Sequence, residues 1–556
     1  MPTHLESLIS AALSNARRST FGEAADPPDA TLRPTDRPEH GDFASNLPLV
    51  ASKAFGKPPR EIAEALAAKL ASEGQDADIR RVDVAGPGFL NFFLHPRAIQ
   101  SSLSNLLATA GHYGRSDLGG GRRIQVEFVS SNPTGPLTVG HGRQAVLGDA
   151  LANLYDRIGY AVEREYYFND EGRQIDLLAE SLWVRYRELL GESHEIPEDG
   201  YRGEYLIEVA RAVRVAVGDD HDVFGESTKD RFRSEAVDRM TAMIKDDLAA
   251  LGVRFDHWFS EATLHERGEV DEALTALREH GGTYATDGAE WLASEAHGGA
   301  KDSVLIRSDG RPTYLMVDIA YHLDKHRRGF ERVLNVQGAD HHAEQSCMKA
   351  AMRLLGYDED WLQYAVHQFV SLKEGGETLK MSTRAGRFVT LHDLLEELGG
   401  DIVRWFMISR KPEAHLDFDL DLARSESQDN PATYVQYAHT RIASIFRNPE
   451  NPLAQADVDW TAVDLSPLTE PEELDLIKSL DRFPAVVEMA AGTFAPHLVA
   501  DYALQLSRTF HAYYDKHRVL GDDDALTKAR LALLRGLKIV LAESLAILGM
   551  SAPEEM

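Results

Sequence analysis

The sequence predicts a parallel α/β core that lies between an N-terminal α+β domain and a C-terminal all-α helical bundle. Three observations support this architecture: a strand–helix–strand pattern over residues 124–168, apolar segments that return after residue 313, and helical periodicity from about residue 432 onward. At 556 residues the chain exceeds the length that one hydrophobic core usually serves, so several domains are expected.

The first predicted domain covers residues 1–112. An alanine-rich segment, 59–71, has helical composition, and residues 79–93 alternate as strands do on either side of a Gly-Pro-Gly turn. The turn-rich sequence at 117–121 then favours a domain boundary.

The second predicted domain, residues 113–425, is the Rossmann-type core. An apolar strand at 124–128 precedes a helix that stops at Gly159, and a second strand follows at 162–168. Parallel strands need a crossover of this length, so the unit is a parallel βαβ. Strand-like segments return at Tyr314–Ile319 and Arg332–Val336. The acidic, mostly helical stretch between about 185 and 300 is predicted to be an insertion in this fold.

The third predicted domain, residues 426–556, is helical throughout. One helix opens within 434–441, and the last long helix, 529–548, carries a leucine stripe at helical spacing. The stripe indicates a bundle whose helices bury one face each.

Composition excludes several classes of protein. A net charge of −30 argues against indiscriminate nucleic-acid binding, although a local basic track remains compatible with it and an acidic solvated surface is the simplest explanation. Cys347 is the only cysteine, so an intrachain disulfide and a cysteine-based zinc site are excluded. Without a membrane-length apolar run or a signal-like N-terminus, the protein is expected to be cytoplasmic, with no membrane partner.

The most informative segment is residues 130–143, SSNPTGPLTVGHGR, directly after the first core strand. Its small-residue turn leads to Gly140 and His141 at a helix start, where backbone N–H groups and an imidazole face the phosphate-binding edge of a parallel sheet. Glycine lets a nucleotide approach closely, and His141 can donate to a phosphate oxygen. Alone, the pair would be better explained as a tight turn with a capping histidine.

Two later segments add to this pattern. Residues 379–384, LKMSTR, offer a lysine, a hydroxyl and an arginine, which suits a pyrophosphate leaving group, although such a loop alone is more often a solvated basic loop. Residues 336–342, VQGADHH, follow a strand and could face a nucleoside. The adjacent histidines could suggest a metal, but no distant third ligand is evident, so no metal site is predicted.

In this order, the motifs resemble the two signature motifs of class I aminoacyl-tRNA synthetases, and the surrounding residues resemble the arginyl-tRNA synthetases over essentially the full length. The resemblance implies ligation of L-arginine to tRNA(Arg) through an arginyl-adenylate, with ATP as substrate, Mg²⁺ accompanying it, no zinc, and a monomer. It also implies that tRNA must bind before the adenylate forms efficiently. The implied catalytic residues are His141, Lys380, Ser382 and Arg384. The implied ATP-binding residues are Thr138, Gly140, His141, Gly338, Asp340, His341, Lys380 and Met381.

Two positions depart from the family pattern. Thr138 stands where the family's first histidine is usual, so we expect it to be a binding contact. Thr383 replaces the second basic residue of the later motif, and Arg384 is chosen as the residue that neutralises pyrophosphate, with Lys373 and Arg387 as nearby alternatives.

The resemblance also implies an arginine pocket made of Glu127, Asn132, Tyr314 and Asp318. A guanidinium binds best to carboxylates that can pair with it in one plane. Tyr314 and Asp318 are four residues apart, so they lie on the same face if their segment is helical. The plainer alternatives are a solvent-facing edge-strand carboxylate for Glu127 and a core aromatic for Tyr314.

The outer domains resemble those that arginyl-tRNA synthetases use for the tRNA elbow and the anticodon. In the first of them, Phe89 and Asn91 could stack on and bond unpaired bases, but the core face of a strand is the favoured explanation for each residue. Two alternatives to the ligase remain: another class I synthetase or small adenylating ligase, and a non-catalytic tRNA-binding paralogue. Thr138 and Thr383 favour the paralogue, whereas the retained His141 weighs against it.

Overall fold

The computed structural model describes most of the chain. The described residues are 2–22, 30–35, 37–73, 78–170, 172–219, 221, 223–379, 389–449, 451, 453 and 458–556.

The N-terminal domain is an antiparallel sheet with helices packed on it. In chain order its elements are α1 His4–Phe21, β1 Leu32–Pro34, β2 Phe43–Ser45, α2 Leu47–Phe55, α3 Pro59–Glu73, β3 Ile79–Ala85, β4 Phe89–Leu94 and α4 Pro96–Thr109. The sheet order is β1-β2-β4-β3. The predicted helix at 59–71 and the two strands around the Gly-Pro-Gly turn are confirmed. Asn91 is buried, whereas Phe89 is 40% exposed at the start of β4.

The core domain is built on a five-stranded parallel sheet. Its strands are β5 Arg123–Glu127, β6 Ala161–Phe168, β7 His257–Ser260, and, after a small sheet named below, β11 Arg332–Gly338 and β12 Leu362–His367. The order is β12-β11-β5-β6-β7, and all neighbours run parallel. The direction of strand addition reverses between β5 and β11, and ligands of such sheets bind beyond the carboxyl ends of strands at this switch point.

The helices between β5 and β12 are α5 Val139–Arg157, α6 Arg173–Glu188, α7 Tyr205–Val217, α8 Glu226–Ala250, α9 Ala262–Glu266, α10 Glu269–Glu279, α11 Tyr314–Arg327 and α12 His342–Leu354. Helix α5 packs on one face of the sheet and α11 on the other, whereas α6, α7 and the first part of α8 form a separate hydrophobic cluster. The predicted βαβ unit is confirmed as β5–α5–β6.

One expectation for this domain needs correction. Residues 314–319 are not a strand: they begin α11, capped by Thr313, and their apolar run reflects a helix buried on several sides. The segment 185–300, predicted to be a mostly helical insertion, also contains strands. Besides its helices it contributes β7 to the core sheet, and β8 Thr283–Thr286, β9 Ala289–Leu292 and the nearby β10 Ser303–Ile306 form a small antiparallel sheet.

The core domain ends with β13 Val370–Glu374, β14 Glu377–Thr378, α13 Leu391–Leu398, α14 Gly400–Ile408, β15 Leu416–Asp419 and α15 Leu420–Arg424. The predicted C-terminal bundle then follows as α16 Pro431–Arg447, α17 Pro471–Asp481, α18 Phe483–Gly492, α19 His497–Lys516 and α20 Asp524–Ile547. Across the described ranges, no helix combines the length and apolarity that crossing a bilayer requires.

A buried arginine joins the bundle to the core. Arg404, in α14, donates to the carbonyl oxygens of Leu548 (2.8 Å) and Leu251 (3.0 Å) and pairs with Asp149 of α5 at 2.5 Å. One guanidinium therefore links the end of α20 to two helices of the core domain.

Candidate active site

A cavity of about 640 Å³ lies beyond the carboxyl ends of β5, β11 and β12. Its walls contain ten of the residues predicted from sequence: Glu127, Asn132, Thr138, Gly140, His141, Tyr314, Asp318, Gly338, Asp340 and His341. Residues from three separate stretches of the chain therefore meet at the switch point of the sheet, where the fold predicts a ligand.

The loop after β5 is held in an unusual backbone conformation. Val129 and Ser130 have positive φ angles of 68° and 42°, which are rare for residues other than glycine. The Ser130 hydroxyl donates to Glu127 Oε1 (2.9 Å), and the hydroxyl of Tyr166 donates to the Ser131 carbonyl (2.9 Å). These contacts hold the loop in its conformation and tie it to β6 through Tyr166.

Thr138 and His141 form a reciprocal cap at the start of α5. The Thr138 N–H donates to His141 Nδ1 (3.1 Å), and the His141 N–H donates to Thr138 Oγ1 (3.5 Å). Because Nδ1 accepts from a backbone amide, the proton of the neutral ring must lie on Nε2. His141 can therefore cap the helix through Nδ1 and still donate from Nε2 to a phosphate, and Thr138 orients the imidazole.

The electrostatics of the cavity keep this imidazole neutral. Burial, reinforced by repulsion from the nearby His367, lowers the pKa of His141 to about 4. Near neutral pH the ring is thus an uncharged hydrogen-bond donor.

This shift gives a prediction for stability. An unfolded histidine protonates near pH 6.5, whereas folded His141 resists protonation until about pH 4, so that the folded state loses up to about 3 kcal/mol as the pH falls through this interval and none above it. Urea unfolding at several pH values should therefore show a shallower acid decline for His141→Gln than for the unmodified protein. If the stability of the two proteins declined equally with falling pH, the acid sensitivity would come from groups other than His141.

Beneath the cavity, a buried polar network connects the two predicted pocket carboxylates. Lys325 Nζ, fully buried in α11, donates to Glu127 Oε2 (2.6 Å) and to Asn335 Oδ1 (3.1 Å). Asn335 Nδ2 donates to His322 Nε2 (3.0 Å), and His322 Nδ1 donates to the Asp318 carbonyl oxygen (2.8 Å). Each donor meets an acceptor in one consistent arrangement, so Glu127 and Asp318 are held at fixed positions.

Removing the Lys325 cation from this network should lower the stability of the protein. Lys325→Met leaves the largely buried Glu127 carboxylate without its cationic partner, and we expect a loss of about 3–5 kcal/mol in the free energy of unfolding. Urea denaturation measures this loss. The double variant Lys325→Met, Glu127→Gln should recover much of it, because no unpaired charge remains; no recovery would indicate that packing, not charge, dominates.

Helix α11 places Tyr314 and Asp318 on the cavity side, one turn apart. Tyr314 is 71% exposed, so the alternative of a core aromatic is wrong. The Asp318 side chain is 43% exposed, and one of its oxygens lies 3.2 Å from His322 Nδ1. Asn132, across the cavity, donates through Nδ2 to Gln174 Oε1 (2.9 Å) and accepts from the Asn169 N–H (3.2 Å).

A further carboxylate in the cavity was missed by the sequence analysis. Glu261 follows β7 and accepts hydrogen bonds from the hydroxyl of Tyr167 and from Asn169 Nδ2 (2.7 Å). Burial raises the pKa of this carboxyl. Its position directly after a parallel strand was the available signal, but β7 lies in the segment predicted to be an insertion.

The remaining wall follows β11 and β12. Gly338 ends β11, and a side chain there would collide with the Asp340 carboxylate. His341 Nδ1 lies 2.8 Å from Glu344 Oε2 and is exposed, as is Asp340. His367, at the end of β12, also lines the cavity and was not predicted. In the described part of the chain, no three His, Cys, Asp or Glu side chains are grouped as metal ligands.

The second motif, with Lys380, Met381, Ser382 and Arg384, lies outside the described residues. The chain that follows it reaches the first motif: Thr390 forms an antiparallel bridge with Thr138, and the Leu391 N–H donates to the Leu137 carbonyl (2.8 Å). Lys373, one of the alternatives for pyrophosphate, pairs with Asp417 at 2.7 Å.

Comparisons with known proteins agree with this geometry. Residues 3–94 match the family described as arginyl tRNA synthetase N terminal domain, residues 102–405 match tRNA synthetases class I (R), catalytic domain, and residues 435–556 match the DALR anticodon binding domain.

Full-length relatives give the same answer. The arginine–tRNA ligase of Syntrophotalea carbinolica is 46% identical over 530 residues, 95% of each chain, and that of Thioalkalivibrio sulfidiphilus is 42% identical over the whole of both chains. Among solved structures, Thermus thermophilus arginyl-tRNA synthetase superposes with a TM-score of 0.74 at 25% identity and covers 99% of both chains. The chain therefore belongs to the arginyl-tRNA synthetase family of class I aminoacyl-tRNA synthetases.

Proposed function

We propose that the protein ligates L-arginine to tRNA(Arg) in two steps that consume ATP. The observation that carries this proposal is one cavity in which the helix-start motif Thr138–His141 faces three carboxylates, Glu127, Glu261 and Asp318. A phosphate-binding helix start suits ATP, and the carboxylates suit a cationic amino acid.

In the first step, a carboxylate oxygen of arginine attacks the α-phosphorus of ATP, a new P–O bond forms, and pyrophosphate leaves. The protein supplies alignment and charge stabilisation. Thr138, Gly140 and His141 would hold the phosphates at the start of α5, where the Nε2–H of a neutral His141 donates to an oxygen that gains charge in the transition state. Gly338, Asp340 and His341 would contact the adenosine.

Arginine would bind at the opposite side of the same cavity. Asp318 offers an exposed carboxylate to the guanidinium, Tyr314 covers it, and Glu127 and Asn132 hold the polar groups of the amino acid. The hydrogen bond from Lys325 holds the Glu127 carboxylate in position at the edge of the cavity.

In the second step, a terminal ribose hydroxyl of tRNA attacks the carbonyl carbon of the adenylate, and AMP leaves. For the first step, Lys380, Ser382 and Arg384 are proposed as catalytic residues of the loop that stabilises the departing pyrophosphate, and Met381 of the same loop is proposed as an ATP contact. Mg²⁺ is proposed to enter with ATP, held by its phosphates, because the described residues offer no dedicated cluster of ligands. We further propose a monomer that acts in the cytoplasm.

A tRNA-binding paralogue without catalysis is the second candidate, and only the substitutions at positions 138 and 383 favour it. Against it, Thr138 has a positive structural role as the cap that orients His141.

The test is arginine-dependent exchange of labelled pyrophosphate into ATP, with and without tRNA. We expect exchange with arginine that increases strongly when tRNA(Arg) is added, and none with lysine. Exchange that prefers lysine would contradict the pocket assignment, and folded protein without exchange under any condition would support the paralogue.

A further inference from the structure

The buried polar network beneath the cavity has one linking residue, Asn335. This residue lies in β11 directly beside Glu127 of β5, so that both side chains point to the same face of the sheet. On that face, α11 presents Asp318, His322 and Lys325 along one side of the helix. Asn335 bonds to Lys325 and to His322, and it thereby connects the Glu127 end of the network with the Asp318 end.

The hydrogen bonds of this network can run in only one direction. An ammonium group donates and never accepts, so the amide oxygen of Asn335 must face Lys325. The amide nitrogen then faces His322 Nε2, which must accept and therefore carries no proton. The ring proton lies on Nδ1, which is 2.8 Å from the Asp318 carbonyl oxygen and 3.2 Å from one of its carboxylate oxygens. The charge of Lys325 thus dictates which donor the Asp318 carboxylate meets.

Burial makes this arrangement rigid. Lys325, His322 and Asn335 are each at most 2% exposed, so bulk water cannot replace a lost partner. A flipped Asn335 amide would set two donors against each other and leave buried groups unpaired. At the two ends of the network, the carboxylates of Glu127 and Asp318 line the cavity.

We propose that His322, Asn335 and Lys325 are positioning residues for the two carboxylates at the ends of their network. The inference rests on the proposed function, in which Asp318 receives the guanidinium of arginine and Glu127 lies among the groups that hold the rest of the amino acid. By fixing the distance between these two carboxylates, the network lets the pocket select a guanidinium amino acid by its length.

Selection by length requires carboxylates that do not move. A two-point pair between a carboxylate and a guanidinium needs both groups in nearly one plane, and a binding group must be held to within about 0.5 Å to keep such geometry. If Asp318 could rotate freely, it would follow the guanidinium of a longer amino acid. Charge alone cannot provide this selection, because the longer amino acid carries the same charges.

The test compares arginine with homoarginine, which has one more methylene group, in pyrophosphate exchange with tRNA(Arg) present. The unmodified protein should prefer arginine by about 10- to 200-fold in kcat/KM, the usual range for one methylene group. His322→Leu should lower this preference by about 10-fold and raise the KM for arginine, whereas the KM for ATP should not change. A preference that is absent from the unmodified protein, or equal in the two proteins, would overturn the proposal.

The variant His322→Asn provides a matched rescue. Both substitutions leave the Asn335 amide without its acceptor, but the new asparagine amide can donate at the place of Nδ1, as leucine cannot. His322→Asn should therefore keep most of the preference for arginine. If it lost the preference as His322→Leu does, the Nδ1 donor would not be what positions Asp318.

Tyr321→Phe controls for a general loosening of α11. Tyr321 is buried in the same helix, and its hydroxyl donates to Glu165, which lies outside this network. The phenylalanine ring stays under Lys325 while one buried hydrogen bond is lost, so the preference for arginine should be unchanged even where stability falls. A reduced preference in this variant would contradict the specific role of the network.

Asn335→Ser covers the case in which His322→Leu does not fold. Serine is too short to join Lys325 to His322, and the space that it frees can admit a water molecule to the unpaired groups. This variant should also lose preference for arginine, and an unchanged preference would contradict the proposal. If the unmodified protein shows no arginine-dependent exchange, the proposed function fails and this inference fails with it. If exchange occurs and the variants keep the preference, the positioning role alone fails.

Discussion

Replacing His141 with alanine is expected to slow formation of the arginyl-adenylate by about 100-fold, the usual cost of removing one preorganised donor to a charge that develops in the transition state. Arginine affinity should remain nearly unchanged, because His141 lies at the side of the cavity proposed for the phosphates and caps α5. Rapid-quench measurement of adenylate formation, in the presence of tRNA, gives the rate.

The controls for this prediction use the same measurement. His280→Ala, at an exposed histidine that follows α10, should not alter the rate. Since burial lowers the pKa of His141 to about 4, the rate should also show no titration from this group near pH 6.5. An unchanged rate in His141→Ala would remove the imidazole from the mechanism and leave it a structural cap.

Replacing Asp318 with alanine is expected to weaken arginine binding by about 100-fold, because the guanidinium loses a charged hydrogen-bond partner worth about 2–3 kcal/mol. ATP affinity should change by no more than about two-fold, since the residues proposed for ATP lie across the cavity. The variant leaves His322 satisfied, because His322 Nδ1 keeps its bond to the carbonyl oxygen of residue 318. Calorimetric titration with each ligand separates the two affinities.

Asp309→Ala serves as the matched control, because this exposed carboxylate pairs with Arg311 outside the cavity. It should leave both affinities unchanged. Equal losses of arginine and ATP affinity in Asp318→Ala would mean that Asp318 maintains the cavity rather than recognises the guanidinium.

Much of the fold could be predicted because its signals are local. The βαβ unit follows from a strand, a helix of 3.6-residue period and a second strand, and the cap at Thr138–His141 follows from four consecutive residues. The helix α11 was misread because a helix buried on several sides carries the same continuous apolar run as a buried strand.

The full membership of the cavity could not be predicted in the same way. Glu261 reaches it only because β7 pairs with β6 at the edge of the sheet, and this pairing joins residues about 90 positions apart. His367 enters because β12 lies beside β11. Neither residue belongs to a motif that can be recognised from its neighbours in sequence.

The sequence by itself determined most of the helices and strands and their order along the chain. It also located the two motifs, residues 130–143 and 379–384, because periodicity, caps and turns depend on neighbouring residues. Only the tertiary structure decided how charges are matched: Lys325 meets Glu127 across 198 residues, and Arg404 meets Asp149 across 255. A buried charge is tolerated only where a partner lies within hydrogen-bond distance, and folding alone brings such distant residues together.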